Sequence, residues 1–185
     1  MKKTLLSAAM IAGLGIAAFA PLSVQAAPPA NSGTITFTGK VVANTCAVNV
    51  NNSGNASGTV QLPVVFTTAL NTAGFTAGTT NFTLAVTGCD GNLTSVQPLF
   101  SGGSIDTTTG DLKNTAGGNN VEVQLLNGGT VMDLSQNTPS AQNQPVGTLS
   151  GGATTLNYTA QYIAVGGAAT SGLVNATVAY TLTYL

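Results

Sequence analysis

The sequence contains no histidine, no arginine and no tryptophan, and only 5% of its 185 residues are charged. Without histidine there is no side chain whose ordinary pKa suits acid–base catalysis near neutrality. Without arginine there is no planar fork to clamp a phosphate or carboxylate. The acidic residues Asp90, Asp106, Asp111, Glu122 and Asp133 include no adjacent pair for general acid–base work. An enzyme is therefore not expected, and neither is a cofactor. A formal net charge of −1 is too small to draw nucleic acid or an anionic membrane as a partner. Metal is not expected either, since zinc would need histidine or more than the two cysteines present. So few charges also leave little repulsion between copies of the chain, which makes close self-packing plausible.

What the sequence does have is glycine, threonine, alanine and asparagine in abundance, with 43% apolar residues. That is enough hydrophobic material for one domain, and the composition reads as all-β with many turns. Residues 1–26 read as a secretory signal peptide. Lys2 and Lys3 precede an apolar run from Leu5 to Ala20, and Val24-Gln25-Ala26 offers small residues before a cleavage point. The apolar run is shorter than the roughly 20 residues of a membrane-spanning helix and breaks at Pro21. Export places Cys46 and Cys89 in an oxidising compartment, where they are expected to form a structural disulfide worth roughly 4 kcal/mol on the chain-entropy estimate. The alternative, a reactive thiol, wants a neighbouring base or cation that Asn44, Thr45, Gly88 and Asp90 do not supply.

The stretch Thr34 to Cys46 reads as a β-strand with Ile35, Phe37, Gly39 and Val41 on one face. It follows APPANSG, which is too rich in proline and small polar residues to pack. Its first half, about Gly33 to Thr38, is read as a segment handed to a neighbouring molecule, and Lys40 to Cys46 as the start of the local fold; the competing reading packs Ile35 and Phe37 in their own core. Asn49 to Gly58 reads as a loop, Thr59 to Val65 as a strand ending at Pro63, and Phe66 to Thr80 as a connection without helix. Strands are expected at Asn81–Thr87 with Phe82, Leu84 and Val86 inward, at Gln97–Ser101, at Val121–Leu125, and at Thr155–Val165. Asn127-Gly128-Gly129 turns the chain into Thr130–Leu134, while Gly102–Asn120 and Leu134–Gly152 read as polar loops. In the last strand, Val174 to Leu185, Val178, Tyr180, Leu182 and Tyr184 share a face, and neither charge nor proline guards its edge. The sum is a β-sandwich.

The segments GTITFTGKVVANTC, NVEVQLLNGGTVMDL, LNYTAQYIAVGG and GLVNATVAYTLTYL resemble the major shaft pilins of chaperone-usher fimbriae, the type 1 family. The likeness covers nearly all of Gly33 to Leu185 and includes the cysteine spacing, the penultimate Tyr184 and Gly172 at the fourteenth position from the C-terminus. One departure is the terminal Leu185, where the family often has glutamine. The resemblance implies an incomplete immunoglobulin-like β-sandwich, completed first by a periplasmic chaperone and then by the N-terminal strand of the next subunit. It implies a donor strand carrying Gly33, Ile35 and Phe37, an acceptor groove and chaperone contact edged by Gly172, Val178, Tyr180, Leu182 and Tyr184, and the division 27–38 donor extension, 39–185 pilin domain. The implied partners are identical subunits, that chaperone and an outer-membrane usher, and the implied location is a fimbria on the cell surface, reached through the periplasm and supporting cell adhesion.

Two other readings are weighed against this one. A tip-associated adhesin of the same organelle, binding a surface glycan, is expected to carry an extra lectin domain for which the sequence has no room. A free secreted β-sandwich enzyme is made remote by the residue inventory. Weaker motifs add nothing: Asn51, Asn55, Asn81, Asn92, Asn157 and Asn175 head N-x-S/T patterns that an Asn/Thr-rich chain produces by chance. Asp106 and Asp111 bracket TTTG without the ligand spacing of a calcium loop, and Gly102-Gly103 and Gly117-Gly118 precede no helix that would hold a phosphate.

Overall fold

The computed structural model describes residues 34–39, 41 and 46–185. The expected signal segment 1–26, Gly33 and most of the stretch from Lys40 to Thr45 lie outside the described residues. Contacts divide the chain into two units, 1–40 and 41–185. In the first, 34–39 carries no ladder bonds, and Ile35 and Phe37 are 79% and 90% exposed.

Among its described residues the second unit has nine strands: β1 (Ala47–Val50), β2 (Thr76–Thr87), β3 (Ser95–Ser101), β4 (Leu112–Lys113), β5 (Val121–Asn127), β6 (Thr130–Val131), β7 (Gly147–Thr148), β8 (Thr154–Ala164) and β9 (Ala179–Tyr184). One sheet runs β1-β2-β8-β5-β4, with β6 folded back on β5; the other runs β7-β3-β9. Every pairing is antiparallel. Period-two alternation turns Phe82 and Leu84 of β2, Val123 and Leu125 of β5 and Leu156, Tyr158 and Ala160 of β8 inward, where they meet Phe100 of β3. Tyr158 sits at the centre, its ring stacked on Phe82 at 5.3 Å between centroids and edge-on to Phe100 at 5.5 Å. The all-β sandwich read from the sequence is thus the architecture observed.

Several boundaries differ from expectation, for reasons of tertiary structure. β1 begins after Cys46 and takes in Asn49 and Val50, read as loop, because Val50 pairs with Leu84 and is buried against it. Thr59–Val65 is not a ladder strand, although Val60 and Leu62 pack on the core. The 66–80 connection contains one 3-10 turn, Thr67–Leu70, and the first residues of β2. β2 reaches back that far across an irregularity at Gly78, which adopts φ +71° where a Cβ would stand 2.9 Å from the Tyr162 ring. Both supposed polar loops contain short strands, β4 and β7. Glu122 and Gln124 alternate with the core residues of β5 yet are buried, because the 105–113 segment covers that face: Thr109 Oγ1 donates to Glu122 at 2.7 Å and Gln124 Nε2 donates to Asp111 at 3.4 Å.

The 134–146 segment is fixed by a fully buried amide. Gln142 Oε1 accepts the Phe100 N–H at 3.0 Å, and its Nε2 donates to the Phe100 carbonyl at 2.7 Å, so one side chain replaces a strand beside β3. Gln144 Nε2 donates to Gln142 at 3.0 Å, and the Tyr158 hydroxyl donates to Gln144 at 3.0 Å. Buried polar groups satisfied in this way rigidify the core around Phe100 and Tyr158.

Candidate functional site

Beside β9 the sandwich is open. A groove of about 990 Å³ runs between 56–62 on one side and 174–184 on the other. Its floor is core: Val50, Phe82, Leu84, Phe100, Leu112, Val123, Leu125, Ala160 and Tyr162. Among the described residues no charged side chain lines it. Burial raises the hydroxyl pKa of Tyr162, Tyr180 and Tyr184, so the lining stays neutral up to strongly alkaline pH.

The wall formed by β9 presents an unused backbone edge. Leu185 and Ser95 exchange both backbone hydrogen bonds, at 2.9 and 3.1 Å. In an antiparallel ladder such pairs alternate with pairs that share no bond. Thr183, Thr181 and Ala179 therefore bond to Gln97, Leu99 and Ser101, while Tyr184, Leu182 and Tyr180 turn their N–H and C=O groups toward the groove. Pro98 fits this phase, because it faces Leu182 and has no N–H to offer. The same phase continues upstream. The Thr177 carbonyl accepts from the Ser104 N–H at 2.8 Å and the Asn175 carbonyl accepts from the Thr115 N–H at 2.8 Å. The Asn175 N–H donates to the Asn114 side chain at 2.9 Å and the Thr177 N–H to Ser104 Oγ at 3.0 Å. Val174, Ala176 and Val178 are left with half-buried side chains and their backbone groups on the open side. A neighbouring strand would find there both a ladder edge and, one layer below, an apolar floor.

The opposite wall was not identified from the sequence. Residues 56–62 follow a loop folded on itself: the Val50 N–H donates to the Asn55 carbonyl at 2.9 Å, Ser53 Oγ donates to the Ser57 carbonyl at 2.8 Å, and Gly58 approaches Val50 so closely that a Cβ would stand 2.6 Å from its carbonyl. The alternation of Val60 and Leu62 was the available signal. The Tyr180 hydroxyl crosses to this wall and donates to the Ala56 carbonyl at 2.6 Å.

The structure brings together Val178, Tyr180, Leu182 and Tyr184, all lining the groove. Gly172 is not among the lining residues; the nearest group to its Cβ position is the Asn119 side-chain amide at 3.4 Å. Ile35 and Phe37 are exposed, and Gly33 lies outside the described residues. Cys46 and Cys89 are joined, and the bridge packs with Val86 and Val96 next to Leu182 and Tyr184. Among the described residues no cluster of His, Cys, Asp or Glu could hold a metal ion.

A sequence profile described as "Fimbrial protein" matches residues 35–185. The F17 fimbrial protein of Escherichia coli is 39% identical, over 92% of this chain and 96% of that one. The major fimbrial subunit SMF-1 of Stenotrophomonas maltophilia is 38% identical, over 90% and 98%. The type-1 fimbrial protein A chain of Escherichia coli is 34% identical over the whole of both chains. Among solved structures, the P pilus rod subunit PapA superposes with a TM-score of 0.60 at 21% identity, over 76% of this chain and 99% of that one. A Burkholderia pseudomallei antigen and type I fimbria protein superposes with a TM-score of 0.53 at 25% identity, over 76% and 99%.

Proposed function

The chain belongs to the fimbrial protein family, and on that premise we propose that it polymerises by donor-strand exchange into the shaft of a surface fimbria. It is a structural subunit and not an enzyme. The observation that carries the polymerisation reading is the groove: an uncharged, apolar floor beside a β9 edge whose alternate backbone groups face the opening. The same chain carries a segment of matching chemistry in Thr34–Gly39, where Ile35 and Phe37 alternate with threonines and stand in solvent. A strand laid into the groove gains ladder bonds from its backbone and burial from every second side chain, the established logic of β-strand addition. Each fully buried Ile35 or Phe37 would contribute about 1.5–3 kcal/mol.

In this reading residues 1–26 direct export, 27–38 form the donor extension and 39–185 form the pilin domain. A periplasmic chaperone covers the groove after export, an outer-membrane usher exchanges that cover for the next subunit, and the fibre supports adhesion. A peptide of residues 33–38 tests the central step. Added to the chaperone-free chain, it should bind one to one and raise the thermal midpoint. A stable monomer that takes up no peptide would refute the proposal.

A further inference from the structure

The two walls of the groove touch through one polar contact, the 2.6 Å hydrogen bond from the Tyr180 hydroxyl to the Ala56 carbonyl. Its ends are not equally free. The carbonyls on either side of Ala56 are both tied, Asn55 to the Val50 N–H and Ser57 to Ser53 Oγ, so the accepting carbonyl is held where it is. Tyr180 projects from the wall whose backbone edge is open, packs on the floor and makes this bond. The phenol therefore lies across the path an entering strand must take between 56–62 and 174–184.

We propose that the Tyr180 hydroxyl and the Ala56 carbonyl form a latch that holds the empty groove partly shut, so that a strand enters only when their bond opens. The proposal rests on the donor-strand reading of the groove and adds to it a gate on the rate. The latch acts on the uncovered groove, before any strand has entered, and so gates the first strand to arrive. Removing the hydroxyl raises the energy of the closed groove without changing the filled one. Entry then speeds up while escape does not. A neutral hydrogen bond of ordinary net strength corresponds to a roughly three- to tenfold change in rate.

The test is stopped-flow binding of a fluorescent peptide of residues 33–41 to the full chaperone-free chain. Tyr180→Phe should raise the association rate constant roughly three- to tenfold and leave the dissociation rate constant unchanged. Ser53→Ala, outside the groove lining, frees the Ser57 carbonyl beside Ala56 and should move association in the same direction by a smaller factor. It keeps the test intact if Tyr180→Phe fails to fold. Unchanged association in both variants overturns the latch, and so does a change confined to dissociation, which would place the hydroxyl's work in the filled state. If the unaltered chain itself binds no peptide, the donor-strand reading falls and the latch with it.

Discussion

Phe37→Asp should stop polymerisation while leaving the subunit's own fold intact. Phe37 is 90% exposed in this chain, so a carboxylate at that position costs the unassembled subunit almost nothing. On entering a neighbour's groove the same carboxylate would meet a floor of Val, Leu, Phe and Tyr side chains with no charged residue in the lining. The sequence has no arginine or histidine to pair with it, and none of the described lining residues is a lysine. Two losses combine: the roughly 1.5–3 kcal/mol of burial that phenylalanine supplies, and several kcal/mol for desolvating an unpaired carboxylate. Together they exceed about 4 kcal/mol, or roughly a thousandfold in donor-strand affinity. Tyr180→Asp is the mirror change on the acceptor side and should already fail to accumulate as a chaperone-bound subunit. The assays are recovery of chaperone-bound subunit and filament counts by electron microscopy. If Phe37→Asp abolishes the chaperone-bound subunit as thoroughly as Tyr180→Asp does, Phe37 belongs to its own core and the assignment is wrong.

Replacing Cys46 and Cys89 by serine should lower the yield of periplasmic subunit more than it alters fibres that do form, since the bridge limits the freedom of a chain whose core is incomplete; immunoblots and microscopy compare the two, and labelling of free thiols in mature fibres would contradict the bridge. Burial raises the Asp111 carboxyl to about 6 from 3.8, so its charge penalises the fold above pH 6 and the penalty is relieved as pH falls toward 4. Glu122, raised first by burial as well, adds to the penalty in the same direction. Asp111→Asn should therefore stabilise the peptide-filled chain at pH 7.5 and flatten its rise in stability toward pH 5, measured by urea denaturation at each pH. Gly103→Ala should destabilise the β9 wall, because residue 103 adopts φ +67° and a Cβ there would stand 2.2 Å from the Thr177 carbonyl; the thermal midpoint should fall by several degrees.

Much of the groove was legible in the sequence because it depends on alternation, and alternation is local. The face shared by Val178, Tyr180, Leu182 and Tyr184 was readable at once, as were the inward residues Phe82, Leu84 and Val86. What escaped depends on neighbours remote in sequence. The second wall looked like a strand at Thr59–Val65, yet it pairs with no strand among the described residues and remains a ridge with Val60 and Leu62 packed on the core. Nothing local announces that Thr109 and Asp111 will fold over Glu122 and Gln124 and bury them. β1 and β4 are too short for any period to show, and register with Leu84 and Val123 makes them strands. Gln142 carried no signal at all, since a buried glutamine is known only by the Phe100 backbone it serves.

The amide of Gln142 has a consequence for the shape of what the subunit builds. Of the edges a second chain might join, β1 has four residues and β4, β6 and β7 two each, and beyond β7 the Gln142 side chain occupies the flank of β3. β9, with six residues and its open continuation upstream, is the edge that also stands beside an apolar floor, as recruiting a strand requires. On the donor-strand reading the subunit is, in the language of polymer chemistry, a bifunctional monomer with one plug and one socket. Bifunctional monomers give unbranched chains, whereas a third reactive edge would give networks and gels. On that reading, a side chain that stops β7 from lengthening removes one route to branching and favours a thread.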